Sequence, residues 1–363
     1  MAPSSRPTRP RCGGRPRFPL RASRSSDSEE ATMLFPNVRL QPFYPGQMGV
    51  PGSDAPLGLR WTSMGYVLYV DTDHPDASDN NDGWDPNAPL ATIQQAVDNL
   101  YTIQARVAAA GTPHEPAATN SVIVVAPGTY AENVVIDAND PDYCTILGGG
   151  NGKYPVILDA GTGDAITCDA YGWRFENLHF KPENGAAGIK LTRVAGSGAE
   201  GTLIKNCFFN GGWSGTGFGV ELNGAPANVS IIGCRFAEFA ADGACITVTD
   251  TSTADPYQTH IIGCTFQESD EYVTRDCAGG WNASLIQGNV FAESVNNAAF
   301  PAGADGTDIF IDMRGGSVGY NTVCDNCLGG TYSEAGGYYA GTGDEWHGNR
   351  ADVDDGITDT EPA

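Results

Sequence analysis

Ile231-Ile232-Gly233-Cys234-Arg235-Phe236 is one copy of a phrase that recurs along the chain. Its nearest copies are Leu203-Ile204-Lys205-Asn206-Cys207-Phe208-Phe209 and Ile261-Ile262-Gly263-Cys264-Thr265-Phe266, with weaker copies on either side. One position can be aligned through six copies at spacings of 29, 27, 30, 25 and 32 residues: Leu178, Cys207, Cys234, Cys264, Asn289 and Asn321. A period of this size predicts a solenoid, in which each repeat covers the open face of its neighbour.

The repeated phrase has the composition of a β-strand. Each copy is short, rich in β-branched and aromatic residues, bounded by Gly or Asn, and lacks a 3.6-residue period. A second family of short alternating segments lies between the copies, for example Ile189–Thr192 and Val220–Asn223. Strands that recur once per repeat must stack on their counterparts about 4.8 Å apart. The predicted fold class is therefore all-β, a single-stranded parallel β-helix.

Charge and composition set the class of protein. The chain has 363 residues, 47 Gly and a net charge of -24, and all of its 44 acidic residues follow an Arg-rich start. A body this acidic is expected to repel nucleic acid and anionic membranes, so neither is predicted as a partner. No apolar run is long enough for a signal-peptide core or a membrane span.

The two ends of the chain differ in composition from the repeats. Residues 1–32 are rich in Arg, Ser and Pro and predict a disordered tail, with a transit peptide or a start assigned too early as the open alternatives. Residues 33–65 are rich in Pro, Gly and aromatics and predict an extended arm. Residues 328–363 are Gly/Tyr-rich and then acidic, and predict a C-terminal cap or oligomer contact that ends in a disordered tail.

The segment after the arm predicts the N-terminal end of the coil. A strand at Tyr66–Asp71 leads through an Asp/Asn-rich loop to residues 90–101, whose apolar spacing predicts an amphipathic helix. A solenoid must cover its first coil, because that coil otherwise exposes both core and strand edge. We therefore expect the helix to cap a β-helix that spans residues 66–327.

Here the chain resembles a known family. The strand ending in Tyr-Val-Asp, the Asn81-Asp82-Gly83 loop, the run from Pro89 to Asp98 and the strand Val122–Tyr130 with Glu132 after it are similar to the entry module of the pectin-lyase-like right-handed parallel β-helix superfamily. That resemblance implies a right-handed coil. It implies no single activity, since the superfamily includes pectate lyases, polysaccharide hydrolases and phage tailspikes, so function has to come from the site.

Two features suggest metal sites, and each has a structural alternative. Cys207, Cys234 and Cys264 are expected to form a buried stack of thiols, because their neighbours are Ile and Phe. Six aspartates between residues 71 and 85 invite Ca²⁺, but they do not fit an EF-hand register and are typical of polar turns. The expectation is no required cofactor, with Ca²⁺ left open at this loop.

Outward side chains on successive coils form columns, and one column is the candidate catalytic site. It is predicted to contain Asp169, Thr192, Asn223, Thr249, Asp276 and Asp312. Glycosidases need two carboxyl groups about 5 to 9.5 Å apart, which Asp276 and Asp312 on adjacent coils would supply. For a lyase, Arg275 or Arg314 would be the base. The alternative is that these arginines simply pair with the acids. Asp169 and Asn223 are candidate substrate contacts.

Aromatic residues suggest a carbohydrate. Sugar rings stack on flat aromatic faces, and Trp213 and Trp281, in Gly-rich turns, are the candidate platform. We predict a surface or virion-associated protein that recognises, and as a further hypothesis cleaves, a polysaccharide or cell-surface glycan. The alternative is a non-enzymatic structural coil of a virion or fibre. The expected location is extracellular or on a virion surface, and a homotrimer is one arrangement to test.

Overall fold

The computed structural model of the protein describes residues 65–110, 118–150, 155–183, 185–194, 197–212, 217–239, 243–249, 255–269, 271–275, 280–292, 309–314, 319–329, 338–351, 357–358 and 362. Three sheets of stacked strands run through these residues, one strand per coil in each sheet. Nearly all the pairings are parallel, and the register of each pair joins residues about one repeat apart. The chain is a right-handed parallel β-helix, as predicted.

Sheet A contains the first half of the repeated phrase. Its strands, in spatial order, are Val67–Val70, Val122–Val125, Thr145–Gly148, Arg174–Glu176, Leu203–Lys205, Ser230–Ile232, His260–Ile262, Leu285–Gln287, Thr322–Cys324 and Glu345–His347.

Sheet B contains the second half of the phrase. Its strands are Gly128–Tyr130, Val156–Leu158, His179–Phe180, Phe208–Asn210, Arg235–Ala237, Thr265–Gln267, Val290–Ala292, Cys327–Leu328, Asn349–Ala351 and the antiparallel Ile357–Thr358.

Sheet C contains the segments between the copies. Its strands are Val134–Ile136, Ile166–Cys168, Ala187–Val194, Phe218–Gly224, Ala244–Val248, Glu271–Arg275, Ile309–Asp312 and Tyr338–Tyr339, with the short antiparallel Ser197–Gly198 beside the third.

The Gly and Asn residues of the phrase form the corner between sheets A and B. One residue there adopts a left-handed conformation on seven successive coils, with φ between 52° and 66°: Asn177, Asn206, Gly233, Gly263, Gly288, Asp325 and Gly348. Gly reaches this region without a steric penalty, and Asn and Asp reach it more easily than other residues. The corner therefore explains why the repeat alternates between Gly and Asn at this point.

The core is built from ladders of like side chains. Five phenylalanines stack face to face with ring centroids 4.7 to 5.0 Å apart: Phe180, Phe209, Phe236, Phe266 and Phe291. The stack of Cys207, Cys234 and Cys264 is buried as predicted, and each thiol donates to a carbonyl of the preceding coil.

An asparagine ladder continues this position toward the C-terminus. Asn289 and Asn326 are buried, and the Nδ2 of each donates both to the next amide side chain and to a carbonyl of the preceding coil. Asn349 is the last member. The alignment of Asn321 with this position was wrong, because Asn321 instead joins Ser284 and Asp344 in a separate polar ladder one corner earlier.

The N-terminal helix covers the first coil and is longer than expected. It runs from Ile93 to Ala110 rather than ending at residue 101, because Ile103 and Val107 extend the apolar stripe that packs on the core. Thr92 caps its start, and the backbone N–H groups of Ile93 and Gln94 donate to the Glu132 carboxylate. A carboxylate at this end also interacts favourably with the helix dipole.

The coil ends later than residue 327. Tyr338–Tyr339, Glu345–His347 and Asn349–Ala351 stack in register on the preceding coil, so part of the predicted C-terminal tail is a further turn of the β-helix. The predicted tail of residues 1–32 and nearly all of the arm at 33–65 lie outside the described residues. Among the residues that are described, no helix is long and apolar enough to span a membrane.

Candidate functional site

The outward face of sheet C carries the candidate site. Along its strands, side chains of the core alternate with polar side chains, so that Glu221 lies between the buried Val220 and Leu222. Cα register places Glu221 beside Lys190 on one coil and beside Thr247 on the next. The residues in register with Glu221 form one row, and the residues two positions later, at the strand ends, form a second row. We call these two rows the polar face of sheet C. Its members are Thr167, Lys190, Glu221, Thr247 and Thr274, then Asp169, Thr192, Asn223 and Thr249.

An ion pair with a hydroxyl network lies at the centre of the polar face. Lys190 Nζ is 2.9 Å from Glu221 Oε1, and the Glu221 side chain is 6% exposed whereas that of Lys190 is 27% exposed. Thr249 Oγ1 donates to the same carboxylate oxygen, and Asn223 Nδ2 donates to Thr249 Oγ1 over 3.2 Å. The network joins three coils and holds Asn223 at a defined position, which is what a recognition site requires.

The strand-end row begins at an acidic group near the helix. Asp169 is half-buried, and burial together with the nearby Asp137 raises the pKa of its carboxyl group. Asp140, in the preceding turn, has its pKa raised to about 6, mainly by burial and then by Asp137 and Asp98. The predicted grouping of Asp169, Thr192, Asn223 and Thr249 on one row agrees with the observed register.

Asp312 does not lie in the predicted column with Asp169. Val273 pairs with Ile311, so Asp312 lies beside Thr274, in the row that contains Glu221. The expectation that Asp312 belongs to the Asp169 column is therefore wrong. The register of the short strand Ile309–Asp312 places Asp312 two residues earlier than the sequence alignment implied. Asp276 itself is outside the described residues.

The Asp312 carboxylate forms ion pairs with two arginines. Arg314 donates from Nε and from a terminal nitrogen to the two carboxylate oxygens over 2.9 and 2.8 Å, and its backbone N–H donates over 3.0 Å. Arg275 Nε lies 3.5 Å from the same carboxylate, which is 5% exposed. Arg314 also stacks 3.7 Å from the centre of the Tyr339 ring. A bidentate pair of this kind occupies both carboxylate oxygens with the arginine of the same strand end.

The prediction of a Trp281 sugar platform is wrong. Trp281 is 2% exposed and packs in the core, and its carbonyl accepts a hydrogen bond from Asn321. The reason is that the turn after Gly280 enters the coil four residues before sheet A begins, so the indole points inward. Trp213, the other predicted platform residue, lies outside the described residues.

The acidic loop before the helix forms turns. Asp71, Asp82 and Asp85 each accept a hydrogen bond from a backbone N–H two residues later, and Asp79 accepts from Ala91 and Thr92. Within the residues the structure describes, no three His, Cys, Asp or Glu side chains are grouped so that they could hold a metal ion. Four of the six loop aspartates thus accept hydrogen bonds from the backbone of the loop and of the helix start.

Sequence reasoning missed the first row of the polar face. Lys190, Glu221, Thr247 and Thr274 sit one position before the buried Leu222 row and share the alternation that was used to find the strands. The sequence feature that could have identified this row is the pair of opposite charges at Lys190 and Glu221, which are 31 residues apart, or about one repeat.

Comparisons with known proteins find only solved structures of low similarity to this chain. No family model and no curated protein sequence matches the chain. Among solved structures, a pectin methylesterase from Aspergillus niger shares 13% identity over 80% of this chain and 87% of its own, with a TM-score of 0.45. A pectate lyase shares 15% identity over 75% and 65%, with a TM-score of 0.43. An alginate lyase from a Paenibacillus species shares 14% over 70% and 93%, with a TM-score of 0.41. At such identities and TM-scores, substrate and activity rest on this chain's own residues.

Proposed function

We propose that this protein binds a polysaccharide along the polar face of sheet C and acts as a surface or virion-associated recognition module. The observation that carries the proposal is the network of Lys190, Glu221, Asn223 and Thr249, which holds amide and hydroxyl groups in fixed positions on successive coils. Thr192, Asn223 and Thr249 of the strand-end row are partly exposed, and on coils about 4.8 Å apart they offer such groups at regular intervals to an extended polymer, whereas Glu221 and Thr247 are buried and support them. Hydroxyl and amide groups exchange hydrogen bonds readily with sugar hydroxyls.

Charge narrows the class of glycan. The chain carries -24, and the lysine on the polar face is neutralised by Glu221. A polyuronate or sulfated polymer would be repelled by this field unless cations screened it. The proposed ligand is therefore a neutral polysaccharide, and its binding is expected to depend little on salt.

Cleavage remains a separate hypothesis. The predicted hydrolase pair is Asp276 and Asp312, with Arg275 or Arg314 as the base of a lyase. The salt bridges of Asp312 favour a structural role for that residue, because both of its oxygens are occupied by Arg314. Binding without chemistry is thus the better supported proposal.

Binding can be measured by affinity electrophoresis of the full chain against a panel of neutral and acidic polysaccharides. We expect retardation by a neutral polymer, and Asn223→Ala to weaken it by up to about tenfold, the value of one or two hydrogen bonds. Gln287→Ala is the matched control, because it removes an exposed amide on sheet A that bonds only to Asp325 among the described contacts. Equal effects of the two variants would contradict the assignment to sheet C.

The same panel separates the other functions. New reducing ends would indicate a hydrolase and unsaturated uronate absorbance a lyase. If either appears and persists unchanged in Asp276→Asn and Asp312→Asn, the proposed catalytic pair is wrong. No binding and no cleavage across the panel would favour a structural coil. Mass in solution distinguishes a homotrimer from a monomer.

A further inference from the structure

Two exposed tyrosines lie on a different edge of the coil, at the corner that precedes sheet A. Tyr257 is 43% exposed and Tyr320 is 70% exposed, whereas the other large aromatic side chains in the described coils between them are buried in the core. We call Tyr257 and Tyr320, with the corner residues Asn282 and Ala283 between them, the tyrosine ridge. It shares no residue with the polar face of sheet C.

Tyr320 occupies a backbone position that does not favour a bulky residue. Two residues before each sheet A strand, φ is positive on nine successive coils: Asn120, Tyr143, Gly172, Gly201, Asn228, Gln258, Ala283, Tyr320 and Gly343. Gly and Asn accept this conformation readily, but an aromatic residue there is an outlier. A residue held in an unfavourable backbone conformation is often one that serves a function.

Packing does not explain Tyr320 in the way it explains Tyr143. The ring of Tyr143 covers Gly172, where an added Cβ would come within 2.2 Å of it. Tyr143 is 50% exposed, whereas Tyr320 is 70% exposed, so most of the surface of Tyr320 is in solvent. The backbone cost at Tyr320 is therefore not offset by burial.

The ridge has the spacing of a short saccharide. Tyr257 belongs to the coil of strand His260–Ile262 and Tyr320 to that of Thr322–Cys324, so the two side chains start two coils, or about 10 Å, apart. This separation is of the order of one disaccharide repeat. The coil between them carries the small Ala283 at the corner, and we call this corner, with Gln258 and Asn282, the saddle.

The backbone of the saddle is fixed. Tyr257 forms a parallel bridge to Asn282, and the Gln258 N–H donates to the Asn282 carbonyl over 3.0 Å. The Ala283 N–H donates to the carbonyl of Gly319, the residue before Tyr320. Rings carried on a laddered corner lose little freedom when they bind.

The side chains of the saddle are uncharged. Gln258 Nε2 reaches the hydroxyl of Tyr257, and Asn282 adds a second amide. An aromatic face covers the apolar C–H surface of a sugar ring, while amides and phenol hydroxyls bond to its rim. We propose that the tyrosine ridge is a second carbohydrate-binding site, which binds a neutral saccharide across Tyr257 and Tyr320. The proposal takes its class of ligand from the proposed function but places it on a separate surface.

The test uses the full chain and isothermal titration with soluble neutral oligosaccharides, a β-glucan and a galactomannan series, beside an oligouronate. The double variant Tyr257→Ala/Tyr320→Gly is expected to weaken neutral-saccharide binding by about tenfold or more, the loss of two stacking contacts. Tyr101→Ala is the matched control, since Tyr101 is 46% exposed on the helix Ile93–Ala110, and we expect it to leave binding unchanged.

A stability readout separates binding from folding. Because Gly is unstrained at the Tyr320 position, Tyr320→Gly is expected to melt at or above the wild-type temperature while binding falls. Unchanged binding in the double variant, or no neutral-saccharide binding by the wild type, would overturn the proposal. A double variant that changes the mass in solution would overturn it too, by marking the ridge as a contact between copies. Loss in the ridge variant with none in Asn223→Ala would refute the sheet C site alone, and the reverse pattern would refute the ridge alone.

Discussion

Removing Lys190 tests whether its ion pair with the buried Glu221 stabilises the polar face of sheet C. In Lys190→Met, the Glu221 carboxylate keeps the Thr249 hydroxyl but loses the ammonium that lies 2.9 Å away. The Glu221 side chain is 6% exposed, so it cannot recover the lost interaction from water. Removing one partner of a buried pair typically costs about 3 to 5 kcal/mol, whereas exposed pairs are worth about 1 kcal/mol or less. Since Lys190 is partly exposed, we expect a loss of about 2 to 4 kcal/mol near pH 8.

Urea unfolding followed by circular dichroism near pH 8 measures the effect. Lys181→Met is the matched control, because Lys181 faces Asp159 at 3.9 Å with both side chains more than one third exposed, and we expect it to cost below about 1 kcal/mol. Equal losses in the two variants would refute the conclusion that the Lys190–Glu221 pair is buried and contributes to stability.

Three further predictions concern the coil itself. Phe236→Ala should reduce the free energy of unfolding by about 3 to 5 kcal/mol in thermal or urea unfolding, because the ring is buried between two stacked phenylalanines; a loss below about 1 kcal/mol would contradict the ladder. The pKa of His179 is lowered to about 4, mainly by burial, so the stability that comes from keeping this imidazole neutral in the folded state should be lost as pH falls from about 6.5 through 4. His179→Phe should therefore reduce the fall in the free energy of unfolding over this pH range. An unchanged fall would show that other groups control it. Cys327 is exposed whereas Cys234 and Cys264 are buried with pKa values raised well above the usual range, so mass spectrometry after brief alkylation of the native protein should find Cys327 modified and the other two intact.

How far the site could be predicted follows from what a repeat period specifies. The period and the alternation place side chains on a face, which is why Asp169, Thr192 and Asn223 were assigned to one row from the residues alone. The row of Asp312 was misassigned because the spacing between coils varies, and one row shift of two residues keeps a side chain on the same face. The charge pattern of the sequence could have identified the Lys190–Glu221 pair, but it does not show that Glu221 is buried.

The repeat pattern alone predicts the stacked coil, its capping helix and its core positions, because a hydrophobic pattern that repeats about every 30 residues has few other ways to bury itself. Which polar residues meet, and which aromatic rings reach solvent, depends on the folded structure. Trp281 turned inward and Tyr320 outward, although both follow Gly-rich turns, because the direction of a corner side chain depends on the exact residue at which the chain enters the sheet. Partners such as Asp312 with Arg275, or Asn289 with Asn326, depend on register between coils, which local sequence does not encode.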